Sequence, residues 1–172
     1  MNTIWKRRSV RTFLKKPVEE EKLKRIIGAG MQAPSSRNGQ TWEFICVTEP
    51  DLIAGIKEMS HYAGLIEKAP SVIVVCNNEE EAKKKKEEDW WIQGLSACVE
   101  NILLQVVEEG LGAVWMGAYP RQKRIEFLRN YFQMPDNLLP FAVIPIGYAE
   151  HTPEPENRFD ESKIHYNGFE IK

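Results

Sequence analysis

From Asp89 the chain reads DWWIQGLSACVENILLQVVEEG, and its apolar residues spread too widely for the single stripe of a surface helix. Trp91, Leu95, Cys98, Ile102 and Val106 recur at helical spacing, while Val99, Leu103 and Val107 widen the face they make. A helix apolar over so much of its circumference is central, or lies between two packing partners. Gly110 is a good stop residue just past its end. The remaining elements therefore have to wrap this helix.

After Pro17, VEEEKLKRIIGAGMQ predicts a second helix, with Leu23, Ile26, Ile27 and Met31 on its apolar side and acidic residues in its first turn. APSSRNGQ is a polar loop. WEFICVT predicts a strand from Trp42 to Thr48, Asp51–Met59 a short helix, and SVIVVC a fully buried strand from Ser71 to Cys76. In NNEEEAKKKKEED, Glu79–Lys83, Glu80–Lys84 and Glu81–Lys85 are spaced i,i+4, as in a helical surface segment. LGAVWMGAYP is a glycine-flanked extended stretch, and Gln122–Phe132 predicts an amphipathic helix. PFAVIPIGYA is a strand that Pro145 places at an edge or interrupts. From Ala149 onward the chain has neither helical nor strand period, so it must lie on another surface, such as a partner subunit's. Four or five strands without regular βαβ alternation fit an α+β sandwich better than a doubly wound sheet. One domain over residues 1–172 is expected, with a tail from 149.

Composition excludes several functions. Net charge is −2, with 28% charged residues, so no broad basic field exists for nucleic acid or a membrane surface, and any anion site must be local. Cys46, Cys76 and Cys98 are odd in number and set among apolar residues, as expected of reduced, buried thiols in a cytoplasmic protein. MNTIWKRRS has no signal-peptide core, and no uncharged apolar run approaches the roughly 18 residues of a membrane helix. His61, His151 and His165 show no metal-ligand spacing. No G-x-S-x-G, G-x-G-x-x-G or Walker motif occurs, which disfavours hydrolase, Rossmann and P-loop chemistry.

Three segments remain as candidate sites. RRSVRTF concentrates Arg7, Arg8 and Arg11 around Ser9. Guanidinium forks suit phosphate geometry and the hydroxyl adds a neutral donor, although spacing alone equally allows a solvated basic face. PSSRNGQ presents Pro34, Ser35, Ser36 and Asn38 in a loop, either toward a ligand or as a helix-to-strand turn. In GAVWMGAY, glycines flank Trp115 and Met116, so a flat ligand could approach the backbone there; a core strand with a packed tryptophan is the alternative.

Taken in order, RRSVRTF, APSSRNGQTWEFICV, W-x-x-Q-x-x-S-A-x-x-E-N-I-L-L, GLGAVWMGAYP and IPIGYAEHTPEPENRFDESKIHYN resemble the FMN-dependent nitroreductase family, in its shorter branch, over nearly the whole chain. The resemblance implies a mostly antiparallel sheet flanked by helices, in an intertwined homodimer with FMN at the subunit interface. It makes the Trp90–Glu109 helix the dimer core and sends the tail 149–172 across the partner, whose own C-terminal segment adds a strand to the sheet. By the same resemblance Arg7 and Ser9, joined by Arg158 of ENRF, hold the FMN phosphate, and Arg8 shares the ribityl–phosphate region. Arg11 reaches the N1–O2 edge of the flavin. Pro34, Ser35, Ser36 and Asn38 come from the other subunit, the backbone N–H of Gly117 or Met116 meets flavin N5, and Trp115 lies beside the ring. The implied activity is ping-pong hydride transfer from NADH or NADPH to a small-molecule acceptor such as a nitroaromatic or quinone; a flavin-binding module or sensor without turnover is the alternative. The sequence departs from the family pattern at Gly94, where many relatives carry an acidic residue, and in HYAGLIEKAP, which lacks an evident second cation or amide for the pyrimidine ring. The charged segment 77–89 is the expected lid.

Overall fold

Two strands have no polar face. In β2 (Ser71–Asn78) every residue from Ser71 to Asn77 is buried, and in β5 (Leu138–Gly147) every residue from Pro140 onward. Strands of that kind need a packed layer on each side. In the computed structural model, which describes residues 2–86 and 90–169, they pair antiparallel from Ser71↔Ile146 to Asn78↔Leu138 and form the centre of a five-stranded sheet. β1 (Trp42–Val47) lies outside β2; β3 (Gly112–Ala113) and β4 (Met116–Gly117) both pair with β5 on its other side. All pairings within the sheet are antiparallel.

Alternation sends Ile73, Val75, Ala142, Ile144 and Ile146 to one face, under α5 (Trp91–Glu108) and α2 (Glu20–Gly30). Val72, Val74, Cys76 and Val143 go to the other, under α3 (Pro50–Ile56), α6 (Gln122–Tyr131) and the 3₁₀ turns Lys57–Met59 and Ala63–Lys68. The result is an α+β sandwich. The broad apolar face of α5 is explained within one chain: it is wedged between the sheet and α2. α4 (Glu79–Lys84) is shorter than the charge spacing suggested, and Lys84 collects both Glu80 and Glu81, in place of three parallel i,i+4 pairs.

Two expectations need correction. The strand holding Pro145 is central, not an edge. Its second partner is instead broken in two: β3 faces Gly147 and Ile146, β4 faces Val143 and Ala142, and Val114 and Trp115 pass the proline unpaired. Pro140 sits at the register shift between Val75 and Cys76. Both missing donors thus fall at irregularities of the ladder. Cys46 is exposed, unlike Cys76 and Cys98, because β1 is an edge strand only partly covered on either face.

The N-terminal segment closes the β3 side. α1 (Thr3–Lys6) is capped by Asn2 and packs on α5. Ser9 then bridges Ala113 in parallel, with the Val10 N–H donating to the Ala113 carbonyl at 2.9 Å, and Phe13 bridges Ala149. A Cβ on Gly112 would lie 2.6 Å from Val10 Cγ2, so this contact requires glycine. Beyond Glu150 no described residue is buried; Phe159 is 67% and Tyr166 82% exposed. No helix among the described residues is long and apolar enough to cross a membrane.

Gly112→Ala should lower stability by about 1–3 kcal/mol through overpacking against Val10, read as a lower urea midpoint at unchanged m. A second prediction concerns the clamp between α2 and the end of α5. Arg25 donates to both Glu109 oxygens at 2.8 Å and holds the Glu109 carboxyl at a pKa of about 2, below its ordinary 4.5. A depressed carboxylate contributes stability above its unfolded pKa and loses it as pH falls through the folded one. Arg25→Ala should therefore lower the urea midpoint at pH 7, and the difference should close as pH falls from about 4.5 to about 2; a pH-independent difference would contradict it.

Candidate functional site

The arginine segment is extended and indexed to the sheet by the Ser9–Ala113 bridge. Val10 points into the core, Arg7, Arg8 and Ser9 are half-buried, and Arg11 is exposed. Arg7 Nε lies 3.6 Å from Glu100 on α5. Arg8 donates to the Glu154 carbonyl and lies 3.6 Å from the Glu156 carboxylate. Arg158 grips the same Glu156 oxygen through Nε and Nη2, at 3.2 and 3.1 Å. Arg8 and Arg158, far apart in sequence, thus meet around one carboxylate. Arg11 only touches its own segment, donating to the Ser9 carbonyl at 3.4 Å.

Pro34, Ser35 and Ser36 lie elsewhere. With Trp90, Gln93, Gly94 and Ala97 of the α5 end they line a hollow of about 380 Å³, none of whose lining residues is charged. Gly94 lies directly against the loop: a Cβ there would stand 3.4 Å from Ser35 Cβ, in ordinary contact. Asn38 is not among the residues lining the hollow; its amide oxygen accepts from Gln40 Nε2, and the Gln40 N–H donates to Ser35 Oγ. Arg37, Asn38 and Gln40 all have positive φ, near 50°. Such backbone costs about 1–3 kcal/mol per non-glycine residue and concentrates at binding loops. Arg37 also donates to the Lys86 carbonyl, tying this loop to the segment expected as a lid; residues 87–89 of that segment lie outside the described residues.

The third segment connects to the first through β5. Trp115 packs on Phe141, ring centroids 5.8 Å apart. Met116 and Gly117 form β4 opposite Val143 and Ala142, both half-buried, and a Cβ on Gly117 would meet only the Tyr119 carbonyl, at 3.6 Å. Ser9 reaches β5 through Ala113 opposite Ile146. From Ile146 to Ala142 is roughly 14 Å at ~3.4 Å per residue. A segment rich in cations and a backbone donor beside an open face therefore stand about a nucleotide's length apart on one rigid strand. That donor set fits FMN: guanidiniums and a hydroxyl for a phosphate, the Glu156 carboxylate marking where two of them already hold an anion, and a glycine where a flat ring would need space.

The departure at Gly94 finds its place here: Gln93, Gly94 and Ala97 form the floor of the Pro34–Ser36 hollow. One feature escaped the sequence reading. Arg121, Lys123 and Arg124 line a second, larger hollow with Lys57. Their signal was three cations within four residues at a helix start, where the dipole disfavours them. Burial pushes the Cys76 and Cys98 thiols up to about 12, so neither serves as a thiolate nucleophile. No cluster of metal-ligating side chains occurs among the described residues.

A protein of Methanothermobacter thermautotrophicus, named provisionally as an NADH dehydrogenase/NAD(P)H nitroreductase, is 36% identical over 96% of this chain and 85% of its own. Among solved structures, a provisionally named NADH oxidase of Clostridium acetobutylicum superposes with a TM-score of 0.92 at 38% identity, covering 98% of this chain and 100% of that one. An FMN-dependent nitroreductase of Clostridium difficile gives 0.88 at 29% identity, covering 98% and 99%. A sequence model described as Nitroreductase family matches residues 4–65 and 58–148, and with that match over most of its length this chain belongs to the nitroreductase family.

Proposed function

We propose that the protein is an FMN-dependent oxidoreductase that draws on NADH or NADPH to reduce nitroaromatics, quinones or similar electron-poor acceptors. The observation that carries this reading is the spacing along β5 between the Ser9 bridge and Gly117, which suits a flavin nucleotide lying with its phosphate at one end and its ring at the other. FMN, when bound, would supply the redox chemistry of hydride transfer between donor and acceptor. The chain itself binds and orients. Arg7, Ser9 and Arg158 hold the phosphate and Arg8 the adjoining ribityl region. Arg11 brings a fixed positive charge to the pyrimidine edge, where reduction adds negative charge. The N–H of Gly117 or Met116 donates toward N5, and Trp115 walls one side of the ring, so donor and acceptor use the remaining face in turn, as ping-pong kinetics require. No side-chain acid or base is needed.

In one chain Pro34–Ser36 and Arg8 line separate hollows. A homodimer in which one protomer supplies Arg7–Arg11 and the other Pro34, Ser35, Ser36 and Asn38 completes the site. The tail from 149, with Phe159 and Tyr166 uncovered, then lies across the partner. Free cysteines fit a cytoplasmic setting.

The purified protein should be yellow and should bleach on anaerobic mixing with NADH or NADPH. A yellow protein that neither bleaches would be a flavin-binding module only. Arg7→Ala should weaken FMN binding by roughly 1.5–3 kcal/mol, about tenfold to a hundredfold in Kd. Arg11→Ala should instead lower the flavin potential and slow reduction more than it weakens binding. Unchanged cofactor content and reduction rate in both variants would overturn the assignments. Dilution to monomer should release FMN, and a fully loaded monomer in light scattering would refute the shared site.

A further inference from the structure

A hollow of about 1080 Å³ lies between the turn Lys57–Gly64 and the start of α6. Lys57, Arg121, Lys123 and Arg124 line it, against one carboxylate, Glu58. That local excess of three positive charges sits in a chain of net charge −2. It is also costly where it is: α6 has no acidic residue in its first turn, and cations at a helix start oppose the dipole. Among the described residues no carboxylate pairs with Arg121, Lys123 or Arg124, and Lys57 alone has one, Glu67 at 3.1 Å. Arg121 makes no side-chain cap bond, so neither capping nor ion pairing accounts for it. Arg124 joins the hollow to the site: its Nη1 donates at 2.7 Å to the carbonyl of Gly117, the residue proposed to sit at the reactive edge of the flavin. Through that one hydrogen bond a wall of the hollow touches the residue where a molecule's reactive end would lie.

We propose that the hollow is the binding site for the phosphates of the reduced nicotinamide dinucleotide, with Arg121 and Lys123 meeting the phosphate oxygens, Lys57 adding charge from the opposite wall, and Arg124 holding Gly117 in register with it. The FMN phosphate has its own cations at the other end of β5, so these are not duplicates. An apolar quinone or nitroaromatic acceptor needs no cation, whereas a dinucleotide brings at least two negative charges into the same cleft. Arginine forks and a lysine suit phosphoryl oxygens by geometry and charge respectively. This assignment rests on the oxidoreductase reading above and names the donor site within it.

The test uses FMN-loaded protein. Stopped-flow reduction is followed anaerobically with NADPH, NADH and the phosphate-free donor 1-benzyl-1,4-dihydronicotinamide, for wild type and for R121A/K123A. NADP⁺ binding is measured by calorimetry on the same samples. The double variant should raise the Kd for NADPH and NADP⁺ roughly tenfold or more, flatten its rise with salt, and leave the concentration dependence of the benzyl donor where it was. An equal loss for NADH assigns the cations to the shared pyrophosphate; a loss confined to NADPH and NADP⁺ assigns them to the 2′-phosphate. Either result supports the site. Unchanged dinucleotide affinity, or an equal loss with the benzyl donor, overturns it. Wild-type protein that no donor bleaches, the benzyl compound included, would instead refute the oxidoreductase reading.

Discussion

β5 is buried on both faces and has partners on both sides, and that confinement fixes where the contacts proposed for Ser9 and Gly117 can be. With Ala142, Ile144 and Ile146 committed to the α5 face and Val143 to the α6 face, a slip of one residue would exchange the two cores. The register is therefore rigid, and everything paired to β5 inherits that rigidity. Ser9 is set through Ala113 and Ile146, Gly117 through Ala142. The arginine segment has little regular structure of its own, yet its place is as defined as that of a strand. A cofactor spanning the two positions would meet groups already in place, which is what makes charge stabilisation effective without reorganisation.

Long, strongly periodic elements were legible in the sequence. α2, α5, α6, β1 and β2 all lie where their apolar patterns put them, because burial against a single sheet imposes those patterns over many residues. Pro145 was not decidable. A proline excludes one ladder bond, and the chain could meet that by moving the strand to an edge or by breaking its neighbour; Val114 and Trp115 show it did the second. Cys46 sits in an apolar run like the other two thiols, and only the sheet order shows that its strand is an edge. Left-handed backbone at Arg37 and Gln40 leaves no compositional trace, since neither residue type favours it. The roles proposed for Arg7, Arg8, Ser9 and Arg11 rest on the order of motifs along the chain and not on spacing, which alone allows a plain basic face. The α6 cations were overlooked for a related reason: an amphipathic helix with charged residues outward satisfies the pattern, and only the hollow opposite gives those charges a destination.

Charge is distributed in a way that composition hides. A net −2 chain keeps two basic regions apart, one along the N-terminal segment and one at the start of α6. The first is tempered by the carboxylates of Glu100 and Glu156, both at or near the surface. Ion pairs this close to the surface are weakly stabilising, so a phosphate monoester, with more charge and more acceptor oxygens, would compete well with Glu156 for Arg158. Because Glu156 belongs to the tail, that competition connects cofactor loading with where the tail lies.

The tail brings the second chain into the account. Ordering a residue's backbone costs about 1–2 kcal/mol, and from Glu150 to Phe169 no residue is buried in its own chain to offset it. Exposed Phe159, Ile164, Tyr166 and Phe169 supply apolar surface that a partner could cover. The uncharged hollow at Pro34–Ser36 has the complementary need: it offers hydroxyls and an aromatic wall but no cation to hold a phosphate. The homodimer proposed above would answer both at once, covering each tail and bringing each hollow to the other chain's arginines. Any ligand bound across such a joint site favours the associated state by mass action, so flavin affinity and dimer affinity become two measurements of one coupling.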